Sequence, residues 1–124
     1  MTKRQKEILL KDLLGRVLYG VKVDYHDNIC TLGYSLYLNN SDAAFENHPM
    51  AFFLENIESI KPYLRPMSSM TEDELNEYEN FITNEKDDQI RFCNELVFYH
   101  IHHFDYRGLI PMGLALPALE NMYK

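Results

Sequence analysis

Apolar side chains recur every three or four residues in three stretches of this chain and every second residue in one. The first helical stretch is Ile8, Leu9, Leu10, Leu13 and Leu14, a stripe wide enough to pack on a sheet. It predicts a helix over residues 2–14. Thr2 and Gln5 have capping-box spacing, which satisfies two backbone N–H groups at the start. Gly15 fits the position just past the end, where glycine takes a left-handed backbone without a Cβ penalty. Lys3, Arg4 and Lys6 oppose the helix dipole there, at a cost of a few tenths of a kcal/mol each.

From Val17 to Leu38 the period becomes two. Val21, Val23 and Tyr25 alternate with Lys22, Asp24 and His26, and Asp27-Asn28 continues the turn chemistry begun at His26. Ile29 to Leu38 reads as a long second strand, with Gly33 marking a bulge. Together these form an antiparallel hairpin. Residues 39–42 are a loop, and residues 43–49 carry no period before Pro49 stops them. Residues 50–54 are a third strand, and Ile57 to Leu64 a fourth, bent by Pro62. Tyr63-Leu64-Arg65 between Pro62 and Pro66 is an extended connector. Short bent strands curl easily, so an SH3-like partial barrel is one form residues 16–64 can take.

Two further helices follow. Thr71 as N-cap places Glu74 at the reciprocal capping position, with Glu72, Asp73 and Glu74 on the positive end of the dipole. Leu75, Tyr78, Phe81 and Ile82 supply a buried face, and the helix ends near Thr83-Asn84. The last helix runs from Asp88 to His103 and is apolar nearly all round, the pattern of a helix that is buried or covered by a partner. Gly108 breaks it. Pro111, Gly113 and Pro117 make the tail a series of turns or one short helix, not a strand. The fold class is therefore α+β: an N-terminal helix, a small antiparallel sheet, two C-terminal helices and a turn-rich tail. One domain is expected over residues 1–124, made of a helix (1–15), a β-rich part (16–64) and a helical part (68–124).

Composition narrows the function classes. The chain has 124 residues and 46% hydrophobic side chains, which suits one folded core. No apolar run approaches the ~20 residues of a membrane span, and cytoplasmic residence is the simplest expectation. Cys30 and Cys93 sit in apolar surroundings and read as buried thiols rather than a disulfide pair or ligand set. The net charge of −7 is segregated. Residues 72–95 hold nine acids against two bases, whereas residues 1–22 hold six bases against two acids. An acidic middle disfavours a broad nucleic-acid footprint, although the basic first helix keeps a local one open.

His100, His103 and Asp105 are the candidate metal ligands. Imidazoles suit zinc, but His102 and His103 point about 100° apart on a regular helix and cannot both converge with His100. No metal and no cofactor is expected. Asp105, Tyr106, Arg107, Gly108 and Gly113 read as a structural signature, with Asp105 and Arg107 organising the turn before Gly108. No catalytic residue is assigned. Tyr34, Tyr37, Phe52, Phe53, Phe98 and Tyr99 are large rings whose complete burial would strain so small a core, and they form the candidate interaction surface.

Two blocks, Ile57 to Glu72 (IESIKPYLRPMSSMTE) and His103 to Leu116 (HFDYRGLIPMGLAL), resemble a family of small uncharacterised proteins from gut Bacteroidetes genomes and their phage-like or mobile elements. The opening from Met1 to Leu13, with Tyr19 to Val23, is similar too. The resemblance covers about half the chain and implies a setting rather than an activity or a catalytic residue. Three functions follow as expectations: a non-enzymatic interaction or accessory module with a protein partner or a weak homodimer; a metal protein or enzyme using His100, His103 and Asp105; and a nucleic-acid-associated regulator acting through the first helix.

Overall fold

The computed structural model describes residues 1–32, 36–38 and 55–123, with only the backbone of 36–38. The bulge at Gly33, the loop and strand expected within 39–54, and the side chains of Tyr34, Tyr37, Phe52 and Phe53 lie outside the described residues.

Helix α1 spans Lys3–Arg16 and starts on the expected capping box, with both the Thr2 and Gln5 side chains engaged. It continues through Gly15, so that glycine is no helix terminator. Its role is close approach: a Cβ at Gly15 would lie 2.9 Å from Cε1 of the His100 ring. The left-handed residue is instead Gly20, φ 69°, after a 3₁₀ turn at Val17–Tyr19. Alanine in a helix interior ordinarily stabilises over glycine by about 1 kcal/mol. Here Gly15→Ala is expected to lower the melting temperature, because the His100 ring is tied down and cannot yield.

Strands β1 (Lys22–Tyr25) and β2 (Asn28–Leu32) form the expected hairpin. His26 and Asp27 at its turn have φ 50° and 65°, the two left-handed residues of a turn whose twist matches its strands. Strand β3 (Leu36–Leu38) pairs with β2, and β4 (Ile60–Leu64) pairs antiparallel with β1. Pro62 sits inside β4 opposite Val23 without breaking it. The pairing on β4's other side begins only at Tyr63, so proline's missing donor is tolerated. Residues 57–59, expected as strand, form a 3₁₀ turn.

The tail corrects the expectation of turns alone. Leu116–Pro117 is a short strand, β5, parallel to β4, which makes the sheet mixed with the order β3-β2-β1-β4-β5. The open edge of β4 explains it: Leu64 O accepts from Ala118 N at 2.8 Å, and Arg65 exchanges backbone bonds with His103 and Asp105. Among the described residues no pairing between β3 and β5 closes the sheet.

The core lies between α1 and the sheet, where Leu9, Leu13, Val21, Val23, Cys30, Ile60 and Leu64 are buried. Each such aliphatic side chain contributes about 1.5–3 kcal/mol. Leu109, Leu114 and Ala115 of the tail join this cluster, so the tail seals the α1–sheet core rather than packing chiefly on the last helix. Ile110 and Leu116 are half-buried.

Helices α2 (Glu72–Thr83) and α3 (Asp88–Ile101) pack side by side. The Thr71–Glu74 capping box opens α2, and Asp87 caps α3 through the amides of Gln89 and Ile90. Rings join the pair, with Tyr78 and Phe98 centroids 5.3 Å apart. Phe98 is buried in this contact and leaves the candidate surface, and Tyr99 is half-buried against Tyr78 and Tyr106. Cys93, expected inside, is exposed; Cys30 is buried, and burial pushes its thiol pKa up. No helix among the described residues is long and apolar enough to cross a membrane.

Candidate functional site

The residues that carry chemistry gather where α3 ends. The helix stops at Ile101, two residues earlier than expected, because His103 takes φ 62°. Phe104 N then bonds Tyr99 O at 2.9 Å and His103 N bonds His100 O at 3.3 Å. These two bonds define a Schellman turn, with histidine where glycine is usual. The His103 ring stacks on Tyr123 at a centroid distance of 3.7 Å. The Tyr123 hydroxyl accepts from Lys22 N at 2.9 Å and donates to Tyr63 O, clamping the tail to β1 and β4.

Asp105 follows. Its two carboxylate oxygens accept from Leu109 N at 2.7 Å and Ile110 N at 2.9 Å. Gly108, at φ 73°, lets the loop return to its own capping residue, and Gly113, at φ 76°, turns the chain toward β5. Asp105→Ala is expected to cost about 1–3 kcal/mol in urea unfolding, because it orphans two inward amides.

Arg107 does not pair with Asp105. Its Nε lies 3.2 Å from Oδ1 of Asp12, a fully buried residue of α1. The same carboxylate holds Arg16, also fully buried, through Nε at 2.8 Å and Nη2 at 3.2 Å. Arg16 Nη2 also donates to Phe104 O at 2.6 Å. The guanidinium carbons of Arg16 and Arg107 each lie 5.2 Å from the centroid of the Tyr106 ring. The Tyr106 hydroxyl meets His100 Nε2 at 2.8 Å. Burial, then the charges of Arg16 and Arg107, push the His100 pKa down to about 4. Burial, with Arg16 next, does the same to His103.

His100, His103 and Asp105 therefore do not converge. One imidazole faces Tyr106, one stacks on Tyr123, and the carboxylate is spent on backbone amides. Among the described residues no three His, Cys, Asp or Glu side chains are placed to hold a metal ion.

On the other side of the Schellman turn lies an open cleft of ≈ 490 Å³, lined among others by Arg65, Glu74, His102, His103 and Tyr123. Arg65 holds both oxygens of Glu74, at 2.6 and 2.7 Å, which lowers the Glu74 pKa to about 2. His102 Nδ1 sits 3.2 Å from Glu74. This resembles a carboxylate orienting a catalytic base. The free end of the base is not available, however. His102 Nε2 is buried and lies 3.2 Å from Glu77 without hydrogen-bond geometry. The nearby hydroxyls are also spent, Ser69 on Pro66 O and Thr71 on Glu74 N. No nucleophile–base pair forms in the cleft from these groups.

Asp12, Arg16, Arg65, Glu74 and Tyr123 were not among the candidate site residues. Asp12 and Arg16 left a local signal, two opposite charges four residues apart beside an apolar stripe, and Glu74 left one as the partner of Thr71 in a capping box; Arg65 and Tyr123 left none. Comparison with family models, curated proteins and solved structures finds no significant match to this chain.

Proposed function

We propose that this protein is a non-enzymatic interaction module that binds another protein through the outside of its α2–α3 pair. The setting implied by the sequence resemblance, a bacterial or phage-like mobile element, makes it an accessory protein there. One observation carries the reading: large apolar side chains stand exposed on the pair, with Phe92 61% and Ile90 50% accessible. Leu75, Phe81 and Ile101 of the same helices are exposed as well. Acidic side chains are dense on the same two helices and the turn between them, which suits a partner with apolar groups and basic side chains. Asp105 and Tyr123 are meanwhile engaged in holding the tail, and Glu74, Ser69 and Thr71 in hydrogen bonds around the start of α2. The reading through a basic first helix draws less support, since Lys6 pairs with Glu58 and Arg4 with Glu7.

The test is quantitative affinity capture from cells of the natural host, comparing the wild-type chain with an Ile90→Glu/Phe92→Asp variant of equal melting temperature. Proteins held by the wild type and lost by the variant are the expected result. Identical capture by both contradicts the proposal.

A further inference from the structure

Between Leu64 and Phe98 no residue is buried. Helix α2 turns only Glu74, Tyr78 and Ile82, spaced four apart, away from solvent, and each is half-buried. A 12-residue helix with so narrow an inner face gains little from packing and is marginal alone. Charge works against the segment as well, since residues 72–95 hold nine acids against two bases and repel one another.

Two contacts hold this segment down. At the start of α2, Arg65 grips both oxygens of Glu74, at 2.6 and 2.7 Å, and His102 lies 3.2 Å from Glu74 and from Glu77. Arg65 itself belongs to the core side. Its backbone bonds to His103 O and Asp105 N, both at 2.8 Å, and its guanidinium carbon lies 4.4 Å from the centroid of the buried Phe104 ring. Further along, the Tyr78 ring covers Phe98, which is 1% exposed, at a centroid distance of 5.3 Å. We infer that residues 66–97 form a latched strap that opens as a unit while the α1–sheet core stays folded, with Arg65–Glu74 as the latch and Phe98 as the pivot. Segments with few buried apolar contacts open at free energies below that of global unfolding. Opening takes Tyr78 off the Phe98 ring and removes Thr71 and Glu74 from the wall of the cleft. The strap is thus a cover whose position sets both the width of the cleft and the exposure of Phe98.

Native-state hydrogen exchange of the full chain across low urea concentrations provides the test. In the wild type the amides of Tyr78 to Ile82 and of Phe92 to Leu96 are expected to open at a common free energy below that of Leu13, with a smaller urea dependence. Glu74→Gln keeps the capping box, which accepts either side chain, and breaks the charged latch. It is expected to speed exchange of the strap amides by roughly tenfold to hundredfold. Val23→Ala weakens the core alone, because Val23 is buried between α1 and the sheet. It is expected to speed exchange at Leu13 and leave the strap amides unchanged. Strap amides that share the free energy of Leu13, and move with it in Val23→Ala, overturn the inference. So does unaltered strap exchange in Glu74→Gln, since the latch would then hold nothing.

Discussion

Asp12→Ala is expected to remove about 3–5 kcal/mol of folding stability, the cost of leaving a buried charge without its partner. Asp12 is fully buried and receives Arg16 and Arg107 together. Without it, Arg16 keeps its bond to Phe104 O, and two cations remain beside the Tyr106 ring, each 5.2 Å from its centroid. For a chain of this size such a loss is a large part of total stability. Urea unfolding with a fitted slope measures it. A loss below about 1 kcal/mol would mean that the network adds little beyond a surface ion pair.

The second large effect is acid sensitivity. His100 and His103 are buried and held neutral, their pKa values pushed down to about 4 from an ordinary 6.5. Between those two pH values the unfolded chain binds protons that the folded chain refuses, so stability falls as pH falls from 6.5 toward 4. Each histidine contributes roughly 2–3 kcal/mol to that drop, taking 1.4 kcal/mol per pH unit and allowing for partial relaxation. Glu74 adds a further loss in more acid solution, because Arg65 holds its pKa at about 2 and that stabilisation disappears between pH 4.5 and 2. Urea midpoints from pH 8 to pH 4 are therefore expected to be level above 6.5 and to fall steadily below it. His103→Asn, which tolerates the left-handed backbone, should flatten the fall at some cost in stability from the lost Tyr123 stack. A level midpoint down to pH 5 in the wild type would mean that both rings reach solvent.

The parts of the fold legible in the sequence are those built from near neighbours. The capping boxes at Thr2–Gln5 and Thr71–Glu74, the turn at His26-Asp27 and the bend at Gly108 each need only three or four residues to declare themselves. The turn chemistry of Asp105 is local for the same reason, its amide partners lying four and five positions away. What stayed hidden depends on distant contacts. Asp12 and Arg16 look like a surface pair at i, i+4 until the tail, some 90 residues later, folds over them. Gly15 looks like a helix terminator until His100 is seen against it. Strand β5 is two residues long and exists only because β4 offers an open edge. Phe98 and Cys93 exchanged expected places because the pattern of α3 is apolar all round and cannot say which side meets α2.

The run from His100 to Gly113 locks the tail onto α1 and the sheet. Native-state hydrogen exchange at the Leu109 and Ile110 amides tests it most directly, since Asp105 holds both. Both amides are expected to exchange only through global unfolding, with the same free energy as the core amides of Leu13 and Val23. Rapid exchange of the pair while the core stays protected would contradict this, because the loop would then open independently of the fold.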